Sequence, residues 1–428
     1  MKYVMMACLL GGLAVGGFAQ ADVDSPYSLF GVGQLRSKTM NVRLKGMGGT
    51  CNAMMGGGLI NAANPASYAK IDSLSFLFNA GFYFKSSTFR TSNLSEPSRN
   101  ASFNHVSMAF GLFPWWKTAL GVQPFSSAGY TMLVNRTRDG IGSTTLRFRG
   151  SGGLNQAFWG NGFKLGKHVA VGANVYYVFG NSQTETSLYF PDSSYYIGSR
   201  RNLDLMVNSF MFDYGLLFNT PVGNDMHLSL GLTYNQKVKL KGVQTIFVRS
   251  IEEDMDTEVE YLIDTIAYKT SGSKTTIPQG FGFGVALQKT DRWTFGADFN
   301  WMQWSQFAHQ GVTEDLKDSW NVTVGAEFTP RHTSVTGYFS RVTYRFGGFF
   351  EKGFVCLPGN DGQDHNINKV GITAGLSLPL PRTLSKINVA FEFGQYGTRA
   401  GGLIEEQYVR MDVGVAVHEL WFVKRKYK

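Results

Sequence analysis

From residue 73 to the C-terminus, apolar and polar residues alternate in segments of roughly ten residues, and the pattern recurs about fourteen times. Trp293, Phe295, Ala297, Phe299 and Trp301 fall on one side of an extended chain, and Thr294, Gly296, Asp298 and Asn300 on the other. The same division returns at Trp320, Val322, Val324, Ala326 and Phe328, and again at Ile372, Ala374, Leu376 and Leu378. A chain built of such strands has one face for lipid and one for a mixed interior, which predicts an all-β, 14-stranded antiparallel transmembrane β-barrel. The predicted strands are 73–90, 102–113, 116–134, 144–165, 168–190, 203–221 and 226–247, then 277–289, 292–306, 318–329, 335–350, 366–379, 385–398 and 406–423.

The connections alternate too. Phe113-Pro114-Trp115, Gly166-Lys167, Pro221-Val222-Gly223-Asn224, Thr290-Asp291, Pro330-Arg331 and Pro379-Leu380-Pro381-Arg382 form a short set, and the others are longer and polar. Outer-membrane barrels keep short turns in the periplasm and long loops outside, so both termini are expected on the periplasmic side. Long external loops are expected near 190–203, 248–276 and 351–366. The longest carries Glu252, Glu253, Asp254, Asp256, Glu258 and Glu260, but lacks the glycine and oxygen spacing of a calcium loop. It reads as a solvated acidic hairpin, and no metal is expected.

Before the first strand stand two further regions. Lys2, the apolar run Val4 to Phe18 and the small-residue site Ala19-Gln20-Ala21 read as a signal peptide over residues 1–21, with Asp22 as the mature start. The run is shorter than the ~20 residues of a spanning helix. Residues 22–72 are glycine-rich, with Gly31-Val32-Gly33, Gly46-Met47-Gly48-Gly49 and Gly56-Gly57-Gly58, and do not alternate. Such a segment can pack closely inside a barrel and plug it, so the expected division is signal peptide, hatch at 22–72, and barrel at 73–428. No Gly-Lys-Ser/Thr ends the glycine run, which excludes a phosphate loop. After signal removal Cys51 and Cys356 remain, and the sequence leaves their pairing open.

Composition narrows the function classes. The chain is 14% aromatic and only 17% charged, with 51 glycines and a formal charge of +9. Lys and Arg are scattered while the aromatics follow strand period, which argues against nucleic acid. The basic end Lys424, Arg425, Lys426 and Lys428 suits a headgroup surface. His105 and Ser107 share one face of a strand but point away from lipid with no third partner in view, and His418-Glu419 lacks the second histidine of a zinc motif. An enzyme is not expected, and no cofactor is implied.

Ser25-Pro26-Tyr27-Ser28-Leu29-Phe30-Gly31-Val32-Gly33, Gly46-Met47-Gly48-Gly49 and Asn64-Pro65-Ala66 resemble the N-terminal hatch of FadL-type outer-membrane transporters of long-chain fatty acids and aromatic hydrocarbons. Asn64, Pro65 and Ala66 are the most specific of these. Leu120-Gly121-Val122-Gln123-Pro124-Phe125 is similar to the family's kinked strand, Tyr344-Arg345-Phe346-Gly347 to its Arg-x-Gly strand, and the end from Glu419 to Tyr427 to members from Bacteroidota. The resemblance implies capture of a hydrophobic, fatty-acid-like molecule among external loops, passage to a site in the lumen, and lateral release. Pro124 and Phe125 mark the expected lateral opening, because proline removes a ladder donor. By alternation Asp213, Asp298, Glu327, Glu392 and Asp412 point inward with Arg341 and Arg345, either as an ion-pair network tying hatch to wall or as a cradle for a ligand carboxylate. The expected partners are outer-membrane lipid and a hydrophobic small molecule. The alternative is a FadL-like partner barrel of a secretion or outer-membrane assembly complex, with other envelope proteins as partners, and a more distant one is an outer-membrane phospholipase.

Overall fold

Alternating side chains force each segment to lie in a sheet with one face in lipid, and only closure removes the sheet edges that lipid cannot satisfy. The computed structural model describes residues 25–421 except 57, 193–194, 224, 255–258 and 334–336. The expected signal peptide and the basic C-terminal end lie outside the described residues. The wall is a closed 14-strand antiparallel barrel. Its strands are β1 (Ser75–Arg90), β2 (Ser95–Phe113), β3 (Trp116–Ser127, continued as Tyr130–Arg138), β4 (Gly142–Leu165), β5 (Val169–Tyr189) and β6 (Gly198–Pro221). They continue as β7 (Met226–Asn235 and Val238–Asp254), β8 (Val259–Ile277 and Gly280–Lys289), β9 (Trp293–Met302) and β10 (Ser319–Phe328). The last four are β11 (Thr343–Lys352), β12 (Lys369–Pro379), β13 (Lys386–Gly397) and β14 (Glu405–Leu420). β1 pairs with β14 from Ser75 opposite Leu420 to Arg90 opposite Glu405, and this ladder closes the barrel.

The lipid face is as the alternation requires. Phe281, Phe283, Phe295 and Phe299 are exposed on the outer wall, while Thr294, Asp298 and Asn300 are buried on the inner. Near the short turns, Trp115, Trp116 and Phe163 form a run of ring contacts at about 6 Å, the aromatic girdle that suits a membrane interface.

Three segments differ from the sequence expectation. The loop expected at 248–276 is instead mostly strand, because β7 and β8 run on as a long hairpin paired from Val238–Ile277 to Asp254–Val259. Its β-branched and aromatic residues, among them Val248, Tyr261, Ile263, Ile266 and Tyr268, outweigh the acidic ones that suggested a loop. β2 begins at Ser95 rather than near 102. The strand expected from 335 starts only at Thr343, since Gly337 leads into a helical turn at Tyr338–Arg341. Arg341 therefore stands beyond the strand end, where its guanidinium lies 5.6 Å from the Tyr338 ring centre, and not on the lumen wall as alternation had placed it.

The N-terminal segment crosses the lumen and packs on the inner wall through glycines. A Cβ at Gly231 would stand 1.9 Å from the Asn52 carbonyl oxygen, and one at Gly347 only 2.3 Å from the Gly48 nitrogen. Backbone lies on backbone at both places, which no other residue permits. Leu44, Met47, Met54 and Leu59 make a small apolar core between the segment and Ala286.

The candidate functional site in the lumen

Short capped turns fix the N-terminal segment. Asn64 begins a 3₁₀ turn at Pro65–Lys70, where its Oδ1 accepts from the Ala66 amide at 3.1 Å. The Asn64 amide group donates to the Asn52 carbonyl at 2.6 Å, so one side chain ties two turns together. Pro65 supplies the fixed φ of the first helical position, and Ala66 is fully buried. Asn41 caps the helical turn Val42–Lys45 in the same way, accepting from the Arg43 amide at 3.0 Å. We expect Asn64→Ala to cost about 0.5–2 kcal/mol in urea unfolding of the detergent-folded barrel, the range for a lost N-cap; unchanged stability would refute this role.

The capped turn at Val42–Lys45 aims Arg43 at the wall. Its Nε and Nη2 donate to the Glu327 carboxylate at 3.0 and 2.8 Å, and Arg345 donates to the same carboxylate at 2.7 Å. Glu327 on β10 and Arg345 on β11 are opposite in register, and Arg345 is among the most buried side chains of the protein. One carboxylate thus serves two guanidinium groups from different parts of the chain. Asp298 on β9 does the equivalent with backbone, accepting from the amides of Cys51 and Asn52 at 2.5 and 2.8 Å.

Two further clusters complete the polar lumen. Arg410 on β14 pairs with Asp412 at 2.7 Å, lies 4.0 Å from the Tyr83 ring centre, and shares Asn104 with that aspartate. Glu392 on β13 accepts from Tyr408 at 2.6 Å and Lys369 at 3.3 Å. Lys45 is buried in the same region, where burial and the neighbouring Arg410 push its amine down to about 8. Beside the segment lies a cavity of about 190 Å³ whose lining mixes Arg36, Lys38 and Glu351 with Trp301, Trp304 and Phe349.

Pro124 and Phe125 sit where the wall parts. β3 pairs with β2 only as far as Val122 opposite Val106, while its other edge follows β4 across an irregularity at Pro124. Above that point β2 and β3 separate, and the N-terminal segment fills the opening. Gln34 and Leu35 pair with Ser127 and Ser126, and the Arg36 amide donates to the Phe125 carbonyl at 3.0 Å. His105 is buried on the inner face of β2 with Ser107, and both line a water-sized space with Gln123 and Asn41. Cys51 and Cys356 are free thiols, the first buried under the segment.

The structure thus joins Asp298, Glu327 and Arg345 to the N-terminal segment and leaves Arg341 outside. Sequence reading missed Arg43, Lys45, Lys369 and Arg410. The one local signal was Asn41 ahead of Val42-Arg43-Leu44-Lys45, a cap followed by a possible helical turn.

This wall, with its interior segment and a break at the third strand, defines an outer-membrane-type barrel with the fold of the hydrophobic-compound transporters. The toluene transporter TbuX of Ralstonia pickettii is 15% identical, with a TM-score of 0.58 over 89% of this chain and 99% of its own. The toluene transporter TodX of Pseudomonas putida is 16% identical, with a TM-score of 0.58 over 92% of this chain and 100% of its own. A FadL homologue of Pseudomonas aeruginosa is 12% identical, with a TM-score of 0.56 over 91% and 100%. No curated protein matches the sequence. The BamG family model matches residues 1–428, and the chain belongs to the BamG family.

Proposed function

We propose that this barrel is a partner subunit of a protein assembly in the outer membrane, and that it carries the transporter fold without depending on transport for that role. The observation that supports this most is the lumen itself, which holds paired charges rather than an apolar lining: Arg43, Glu327 and Arg345, then Arg410 with Asp412, then Glu392 with Lys369. Each methylene moved from water to a dry site gains ~0.8 kcal/mol, but beside paired charges that gain is offset by the cost of displacing their partners. In this reading the short turns face the periplasm, the long hairpins face outward, and residues 22–72 act as a permanent brace.

A second reading keeps passage of hydrophobic small molecules with lateral release. It is favoured by the parting of β2 and β3 beside Pro124 and Phe125. Here Arg345 and Glu327 anchor the hatch that must shift.

Native mass spectrometry of the protein, gently purified from its own outer membrane, tests both, with lipid extraction of the same sample. The expected result is a stoichiometric complex with another envelope protein. A lone barrel carrying an apolar molecule, which disappears when Leu35→Cys and Ser126→Cys are joined by a disulfide, would overturn the first reading in favour of the second.

A further inference from the structure

The upper part of β8 has a free edge. Along one side Val259–Ile277 pairs continuously with β7, but on the other the ladder consists of Thr275 opposite His309 and Thr276 opposite Ala308. Gln310 extends this slightly, its backbone amide donating to the Lys274 carbonyl at 2.9 Å and its side chain to that of Gly272 at 3.1 Å. From Ser271 back to Val259, β8 has no ladder partner on that edge among the described residues. A free row of N–H and C=O groups is a template for another strand.

The edge carries several exposed apolar side chains, interspersed with Asp264 and Lys269, and it is held in place. Tyr261, Leu262, Ile263, Ile266 and Tyr268 are all largely exposed, Tyr268 at 69%. Register shifts leave Ile263 and Ile266 without opposite residues on β7, and such bulges turn side chains out of the sheet. Tyr268 lies opposite Phe247, which lies opposite Asn202, four residues beyond the exposed Met206 of β6. At roughly 3.3 Å per residue that places the patch about 13 Å further along the strand, past the run of outward phenylalanines. Glu260 braces the hairpin, binding Arg249 at 2.9 Å and also Arg200, which holds the Tyr189 hydroxyl at 2.8 Å. The edge is therefore pre-formed, which lowers the ordering cost of binding.

We infer that this edge receives an extended, apolar-rich segment of a different polypeptide, which adds a strand along Ala267–Ser271 and rests on Ile263, Ile266 and Tyr268. Only a polypeptide in β conformation matches an open ladder, and lipid cannot. A second copy of this chain does not fit. Two copies in one membrane are related by an axis along the membrane normal, and with strands tilted about 35–45° their β8 edges would cross at about 70–90° rather than pair. The inference rests on the partner-subunit reading and says where the partner attaches.

The test uses tagged full-length protein in its own outer membrane, with Ala267→Pro and Tyr268→Pro made separately. Adjacent N–H groups point to opposite edges, so one of the two removes the outward donor and leaves the β7 ladder whole; heat-modifiable gel mobility reports which barrel is intact. That intact variant should lose at least tenfold in partner occupancy by native mass spectrometry. A photo-crosslinking residue at Tyr268 should reach the same partner, and one at Phe283 on the lipid face should not, which keeps the test open if both prolines misfold. Undiminished occupancy in the intact proline variant, or crosslinking from Phe283 and not Tyr268, overturns strand addition while leaving the partner reading standing. A wild-type barrel with no partner mass overturns both, and a homodimer held by this edge overturns the inference.

Discussion

Glu327→Ala is expected to destabilise the barrel by about 3–5 kcal/mol, because it takes from the buried Arg345 guanidinium the carboxylate it binds and leaves the like-charged Arg43 beside it. Arg43 and Arg345 both bind this carboxylate within 3.0 Å. Urea unfolding in detergent micelles is the measurement. Removing Arg43 alone leaves Glu327 paired with Arg345, so Arg43→Met should cost markedly less. Replacing all three by apolar residues of similar volume should recover most of the loss, since the pair's own desolvation is then no longer incurred. A Glu327→Ala variant as stable as the wild type would mean that water reaches the site and the pairing contributes little.

The second large effect is expected from Gly231→Ala. The added methyl would meet the Asn52 carbonyl oxygen at 1.9 Å and its carbon at 2.5 Å, and these are backbone atoms of a turn that Asn64 and Asp298 also hold. No rotamer change relieves the clash. The N-terminal segment must move off the wall, at a cost of about 1–3 kcal/mol or more by analogy with overpacked cores. Displacement should raise ion conductance in planar bilayers and expose the segment to protease. Gly272→Ala is the control, since its Cβ would meet nothing within 4 Å. Equal conductance and protease resistance in the two variants would show that the close approach is not what seats the segment.

Strand count and the lipid face were legible in the sequence because a bilayer imposes one rule on every strand: Phe281, Phe283, Phe295 and Phe299 can only face outward. Inward positions follow by the same parity, which is how Asp298, Glu327 and Arg345 were found. Their partners were not legible. Arg43 lies 284 residues from Glu327, in a segment whose glycines carry no periodicity, and nothing local tells a basic residue there which carboxylate it will meet. Arg341 was misplaced because alternation cannot see that Gly337 opens a helical turn before the strand. The β7–β8 hairpin was misread for a different reason. Residues 261–270 are exposed on both faces of the sheet, so acidic residues interrupt the pattern without interrupting the strand.

The contacts of the N-terminal segment also set an order on folding. It packs backbone on backbone against Gly231 on β7, Gly325 on β10 and Gly347 on β11. The order that avoids forcing these contacts past a finished wall has the wall close around the segment, with the β1–β14 ladder from Ser75–Leu420 to Arg90–Glu405 forming last. Contacts spanning most of the chain make that closure slow, since loop-closure entropy is spent before they form. Until then both β1 and β14 present open edges, and the chain depends on whatever shields them while the N-terminal segment finds its seat.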